Sequence, residues 1–174
     1  MYPELISKTM NREVLFTEKQ RFTQWWIWVI IFMACIIPLW QIYTAIINYQ
    51  NALSNPSTYI GLITIILLMG LLLSTKLETK IQKDGIYVRF IPFVFKYKVY
   101  DWNLIDKVYL RKYNPIGEYG GWGLRGFGKN RAFNISGNQG LQLEFKDGRR
   151  LLIGTHMPDE MKDVVKLLGK SGLN

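Results

Sequence analysis

Two apolar runs without a charged residue, Trp25 to Trp40 and Tyr59 to Leu73, dictate what this chain can become. Extended through Ile47, the first is long enough for a hydrocarbon core of roughly 30 Å at about 1.5 Å per residue. The second, carried to Thr75, reaches the short end of the spanning range, roughly 17 residues. Between them Asn48 to Thr58 is polar, uncharged and broken by Asn55-Pro56. Neither run shows the polar face that a helix lying on a soluble core carries. The pattern predicts a transmembrane helical hairpin over residues 22–75, with spans at about 22–47 and 59–75 and a short outward loop at 48–58.

Charge sets the orientation. The net charge of +9 divides unevenly around the runs. Lys8, Arg12, Lys19 and Arg21 precede the first run against three acids, and from Lys76 onward eighteen Lys and Arg face ten Asp and Glu. The loop between the runs has no charge. Cytoplasmic flanks carry the excess of Lys and Arg, so both termini are expected in the cytoplasm, with residues 1–21 a cytoplasmic segment and 76–174 a cytoplasmic domain. The first run follows Arg21, exceeds a signal h-region in length and lacks a small-residue cleavage site, so a cleaved signal peptide is not expected. Trp25, Trp26 and Trp28 at one end and Tyr43 and Tyr49 at the other match interfacial aromatic belts. No Asp, Glu, Lys, Arg or His lies inside either span, so ion-coupled transport has no residues to use. Residues 1–21 mix apolar and charged positions and fit either the membrane interface or the C-terminal domain.

After Lys76 the period changes from helical to alternating. Leu77–Ile81, Ile86–Ile91, Val94–Tyr100, Leu104–Tyr113, Ala132–Ser136, Leu141–Phe145 and Arg150–Ile153 read as seven antiparallel strands. Lys83-Asp84-Gly85, Gly137 to Gly140 and Asp147-Gly148 supply turns. Asn114 to Asn130 holds Pro115 and six glycines, too many for the interior of a strand or helix. A helix closes the chain. Pro158 suits its first turn, Asp159 and Glu160 complement the dipole, and Met161, Val164, Val165 and Leu168 share one face before Gly169.

Three stretches carry a resemblance: Ile81 to Phe93 (IQKDGIYVRFIPF), Tyr113 to Gly123 (YNPIGEYGGWG) and Leu151 to Pro158 (LLIGTHMP). In these the chain resembles bacterial PH-like (pleckstrin-homology-type) membrane proteins. The resemblance implies an α+β membrane protein: a two-helix transmembrane hairpin, then a PH-like seven-stranded antiparallel barrel or sandwich capped by the C-terminal helix. It brings no catalytic residues, and a bacterial inner membrane is the expected location.

Other motifs point to no chemistry. Gly121 to Gly126 spells G-x-G-x-x-G, but a strand follows where the dinucleotide fingerprint needs a helix. Gly123 to Lys129 approaches a Walker loop, yet Asn130 replaces the magnesium-binding hydroxyl. His156 is the only histidine and Cys35 the only cysteine, which excludes a Cys/His metal site and a disulfide framework. His156 also lacks a sequence-evident nucleophile and a third orienting group. No paired carboxylates mark acid/base work. Neither a catalytic residue nor a cofactor is expected.

The most informative cluster is Trp122, Arg125, Phe127, Lys129 and Arg131 in the glycine-rich stretch. Glycines let the backbone approach a partner, aromatics enter an interface and cations meet phosphates. The same residues also fit a barrel-capping loop whose Trp and Phe pack inward. Lys96, Lys98, Lys107, Arg111 and Lys112 extend the basic surface, and anionic lipid explains it better than nucleic acid. The expected function is a membrane-anchored binding or assembly module contacting anionic phospholipid headgroups or a membrane-protein partner. A structural subunit of a larger complex and a lipid-acting enzyme are the alternatives. Small residues on the spans (Ala34, Cys35, Gly61, Gly70) lead to an expected homo-oligomer.

Overall fold

The computed structural model describes residues 13–22, 24–47, 56–126 and 128–170. They fall into two units, each taken by itself: the apolar segment Phe22–Thr75, and a β-rich unit made of Met1–Arg21 with Lys76–Asn174.

In the apolar unit, α1 spans Trp25–Ile47 and α2 spans Pro56–Ser74. Among the described residues one window, Trp25–Thr44, is long and apolar enough to cross a membrane. The apolar part of α2, Tyr59–Ser74, is shorter. Packing absorbs little of this apolar surface: Phe32 and Ile37 remain 70% and 68% exposed, Ile66 and Leu67 67% each. The helices meet at Gly61, where an added Cβ would lie 3.9 Å from the Pro38 Cβ. The loop expected at 48–58 lies outside the described residues up to position 55.

The β-rich unit is α+β, with nine strands in two sheets among the described residues. In the first sheet β1 (Val14–Arg21), β2 (Lys76–Gln82), β3 (Gly85–Ile91) and β4 (Val94–Asp101) lie side by side in that order, all antiparallel. The second sheet uses β5 (Ile105–Lys112), β6 (Gly123–Arg125), β7 (Asn130–Asn134), β8 (Gln139–Phe145) and β9 (Arg150–Gly154) in the order β5-β8-β9-β7-β6. A 3-10 turn, Trp102–Leu104, links the sheets, and the Trp102 indole N–H donates to the Gln82 carbonyl at 3.0 Å. A short helix α3 (Pro115–Tyr119) precedes β6, and α4 (Pro158–Leu167) closes the unit.

Alternation along the strands sorts apolar side chains to one face. Leu77, Ile81, Ile86, Val88 and Phe90 from the first sheet are buried, as are Val108, Leu141, Leu143, Leu151 and Ile153 from the second. The Tyr100 and Phe145 rings meet at 5.6 Å and tie the two sheets together. Met161 and Val165 of α4 are buried, and Val164 and Leu168 half-buried, as the helical spacing requires.

The sheet differs from the expected seven antiparallel strands in three ways. First, the N-terminal segment supplies β1, paired to β2 from Val14↔Gln82 to Arg21↔Lys76. Its inward positions are Phe16, Glu18 and Gln20, so two polar residues mask the alternation. Second, the glycine-rich stretch is not irregular throughout. Asn114 caps α3 by accepting the Gly117 N–H at 3.0 Å, Glu118 returns to the Asn114 N–H at 2.7 Å, and the three-residue β6 follows. Third, β7 runs parallel to β9, with Ala132 opposite Leu152. The turn after β7 therefore does not make a hairpin with β8, because β9 lies between them. Buried Ile135, and the Tyr113 N–H donating to the Asn138 carbonyl at 2.9 Å, hold that crossing in place.

Candidate functional site

The cations of the glycine-rich stretch sit on the hairpin of β6 and β7, at the edge of the second sheet. The register Gly123↔Asn134, Leu124↔Phe133, Arg125↔Ala132 places Arg125 on the face that carries Ala132 and Leu152. Gly126 makes the turn possible. Its φ is +81°, and a Cβ there would fall 2.1 Å from the Asn130 carbonyl oxygen, so no other residue fits without rebuilding the loop. Arg125, Lys129 and Arg131 are all exposed. Phe127 lies outside the described residues.

Trp122 does not project like the cations. Its indole N–H donates to the Gly137 carbonyl at 3.0 Å, and its own carbonyl accepts the Arg125 Nε–H at 2.8 Å. The half-buried indole thus fastens the loop before β6 to the turn after β7. Arg125 keeps its exposure while one of its donors is spent on that loop. The structure brings Trp122, Arg125, Lys129 and Arg131 onto one hairpin and gives them different jobs: Trp122 anchors and the three cations are exposed, Arg125 on the face of Ala132 and Arg131 on the opposite one.

On the face that carries Arg125 lies a small second core, outside the core between the sheets. Tyr113, Tyr119, Ala132 and Leu152 are buried together, with the two tyrosine rings edge-on at 6.0 Å. Buried Asn134 is its polar centre: Nδ2 donates to the Tyr113 hydroxyl at 3.0 Å and Oδ1 accepts the Gly123 N–H at 2.9 Å. Gly154 permits this approach, since a Cβ there would lie 2.9 Å from the Asn134 Cβ. Arg111 clamps α3 by bonding Glu118 at 2.7 Å and Gln142 at 3.0 Å. The Arg111 bond holds the Glu118 carboxyl below its ordinary pKa. Arg111 is therefore part of the scaffold, whereas Lys96, Lys98, Lys107 and Lys112 are exposed.

Two polar clusters have no counterpart in the sequence reading. Glu18 of β1 is buried and accepts the Thr155 hydroxyl at 2.6 Å and the His156 backbone N–H at 2.7 Å. Gln20 reaches the Gly154 carbonyl at 2.7 Å. His156 meets Ser136 Oγ through Nε2 at 2.5 Å. Both Glu18 oxygens serve other donors, so Glu18 does not orient the imidazole as a triad acid would.

The second cluster lies on the outer face of the first sheet. Glu78 is buried and accepts Arg89 Nε at 2.7 Å and the Tyr97 hydroxyl at 2.7 Å, with Lys76 at 3.5 Å. Burial raises the carboxyl pKa, but the Tyr97 and Arg89 hydrogen bonds and the nearby cations outweigh it, leaving Glu78 below its ordinary value. Burial, then the bond to Glu78, push the Tyr97 phenol up to about 12. The Arg89 guanidinium lies 4.5 Å from the Tyr97 ring centre.

An open depression of about 390 Å³ is lined by Asp106, Glu144 and Arg150 with their neighbours. Among the described residues, no three His, Cys, Asp or Glu side chains gather as a metal site requires.

The chain matches, over residues 9–169, the model of a family described as a family of unknown function (DUF6141). It belongs to that family. The matched span runs from before β1 to just past α4, so this DUF6141 chain carries every described element within the family region. No curated protein and no solved structure matches it.

Proposed function

We propose that this DUF6141 chain is a membrane-anchored, non-catalytic binding or assembly module. In this reading α1 and α2 both cross the bilayer of a bacterial inner membrane, and the β-rich unit faces the cytoplasm. The observation that carries it is the pairing of exposed apolar helices with a β-rich unit whose β6–β7 hairpin holds Arg125, Lys129 and Arg131 outward on a rigid base. Three cations beside a lipid surface are worth about 1 kcal/mol each toward anionic headgroups. Two sheets closed by a C-terminal helix support a PH-like reading of the unit. The parallel β7–β9 pair and the added β1 separate it from a seven-stranded antiparallel form.

The test is lipid retention by the full chain. Purified in mild detergent from membranes containing both lipid classes, it should retain anionic over zwitterionic phospholipid. Replacing Arg125, Lys129 and Arg131 together with Gln should remove most of that preference. Equal retention by the substituted chain would overturn the headgroup contact and turn attention to a membrane-protein partner. The exposed small-residue position Gly70, where an added Cβ meets nothing within 4 Å, is the part of α2 open to a second copy in an oligomer.

A further inference from the structure

The first sheet has two very different ends. At one, the Glu13–Lys83 ion pair, the Lys83-Asp84 turn and Asp101 form a charged rim with acids exposed or half-exposed. At the other, the register aligns Arg21 of β1, Lys76 of β2 and Ile91 of β3. Arg21 is the last residue of β1 before the chain passes to α1 at Trp25, and Lys76 begins β2 directly after Thr75. The turn between β3 and β4, Pro92-Phe93, is at this second end. There the chain exposes large aromatics: Phe93 is 59% and Phe95 68% accessible. Phe93 rests against Phe90 with ring centres 6.1 Å apart, so the tip is braced from below. From Ile91 to Tyr100 the sequence is IPFVFKYKVY, with two lysines and no acid.

Aromatics projecting from a tight turn, flanked by Lys and free of carboxylates, have the composition of a surface seated in lipid headgroups. We infer that the β3–β4 tip, through Phe93 and Phe95, is a membrane-interface contact, with Lys96 meeting anionic headgroups beside it. The inference rests on the proposed spanning of α1 and α2, whose chain joins the sheet at this end through Arg21 and Lys76. It is separate from the β6–β7 hairpin and gives the exposed phenylalanines a lipid partner in place of water.

The experiment uses the full chain with Cys35 replaced by Ser, reconstituted in vesicles of mixed anionic and zwitterionic lipid. A nitroxide is attached to a single cysteine placed at Phe95, at Phe32 of α1, or at exposed Leu167 of α4. Collision of the label with oxygen, which partitions into lipid, is compared with collision with a water-soluble nickel chelate. The ratio at Phe95 should exceed that at Leu167 severalfold and fall below that at Phe32. A ratio at Phe95 equal to that at Leu167, with Phe32 still lipid-like, overturns the tip contact and leaves the anchor standing. Water-like ratios at Phe32 and Phe95 together overturn the anchor and the tip contact with it. Shielding of the Phe95 label from both colliders, with dipolar broadening, overturns it in favour of a second copy. A label at Phe93 repeats the measurement, so that one poorly folded variant does not decide it.

Discussion

The Glu18 carboxylate accepts the backbone N–H of His156 at 2.7 Å, joining the N-terminal strand to the start of the last helix across 138 residues of chain. With its other oxygen on the Thr155 hydroxyl, Glu18 fixes the two residues that lead into Met157, the N-cap of α4, which makes no side-chain capping bond of its own. Polar residues on the inward face of an edge strand also discourage pairing with other chains.

Removing that carboxylate leaves a hydroxyl and an amide without an acceptor in a buried place. Glu18→Ala should destabilise the β-rich unit by about 3 kcal/mol, and Glu18→Gln, which keeps one acceptor oxygen, by less. Denaturant unfolding of the full chain in detergent, read by tryptophan fluorescence, measures both. An unchanged midpoint for Glu18→Ala would show that the contact contributes nothing.

The Glu78–Arg89–Tyr97 cluster predicts losses at both ends of the pH scale. A carboxyl held below its ordinary value of 4.5 contributes stability at higher pH that disappears as pH falls through its folded pKa. Tyr97, raised from 10.0 to about 12, contributes fully below pH 10.0 and loses that contribution as pH rises toward 12. Glu78→Gln should flatten the acid limb and cost about 1–2 kcal/mol near neutrality. Tyr97→Phe should flatten the alkaline limb. Unfolding midpoints from pH 3 to 12 on the three proteins provide the comparison, on the order of these reference pKa values. Parallel curves would remove the assignment.

How much of this was legible beforehand depends on the residue. The turn at Lys83-Asp84-Gly85 was readable; the structure narrows it to Lys83-Asp84, and that two-residue turn sets Glu78 opposite Arg89. The buried cluster could have been found from that pairing. The face of α4 was legible because Met161 and Val165 keep a strict helical spacing. β1 was hidden because Glu18 and Gln20 occupy inward positions where hydrophobic alternation looks for apolar residues. The β6–β7 hairpin was marked by composition alone. Its internal division, with Trp122 bonded to Gly137 and the cations outward, depends on the β7–β9 pairing, which no local pattern encodes.

That division separates two substitutions. Trp122→Ala should destabilise the β-rich unit by about 2 kcal/mol, combining a lost hydrogen bond with part of a buried indole, and should leave the anionic-lipid preference in place. Gln at Arg125, Lys129 and Arg131 should do the reverse. Loss of lipid preference at unchanged stability in Trp122→Ala would place the indole in the headgroups instead.

Orientation is tested on a Cys35→Ser background. A cysteine at Asn51, outside the described residues, should react with a membrane-impermeant maleimide in intact cells, while one at exposed Asp147 should react only after permeabilisation. The opposite pattern would invert the topology and withdraw the contact with cytoplasmic-leaflet lipid.

Arg21 pairs with Lys76, and everything between them is the apolar segment. The helices are therefore an insertion within one folding unit, not a stalk placed before it. During synthesis β1 emerges first, yet has no partner until both helices have left the ribosome. Its docking closes a long loop, which makes the β1–β2 ladder and the Glu18 bonds slow to form beside the local β2–β3 and β3–β4 pairings. The same connectivity makes the protein resistant to being cut in two. A protease that severs the chain between α1 and α2 separates its covalent halves, but the β1–β2 ladder and the Glu18 contacts still hold the pieces as one body.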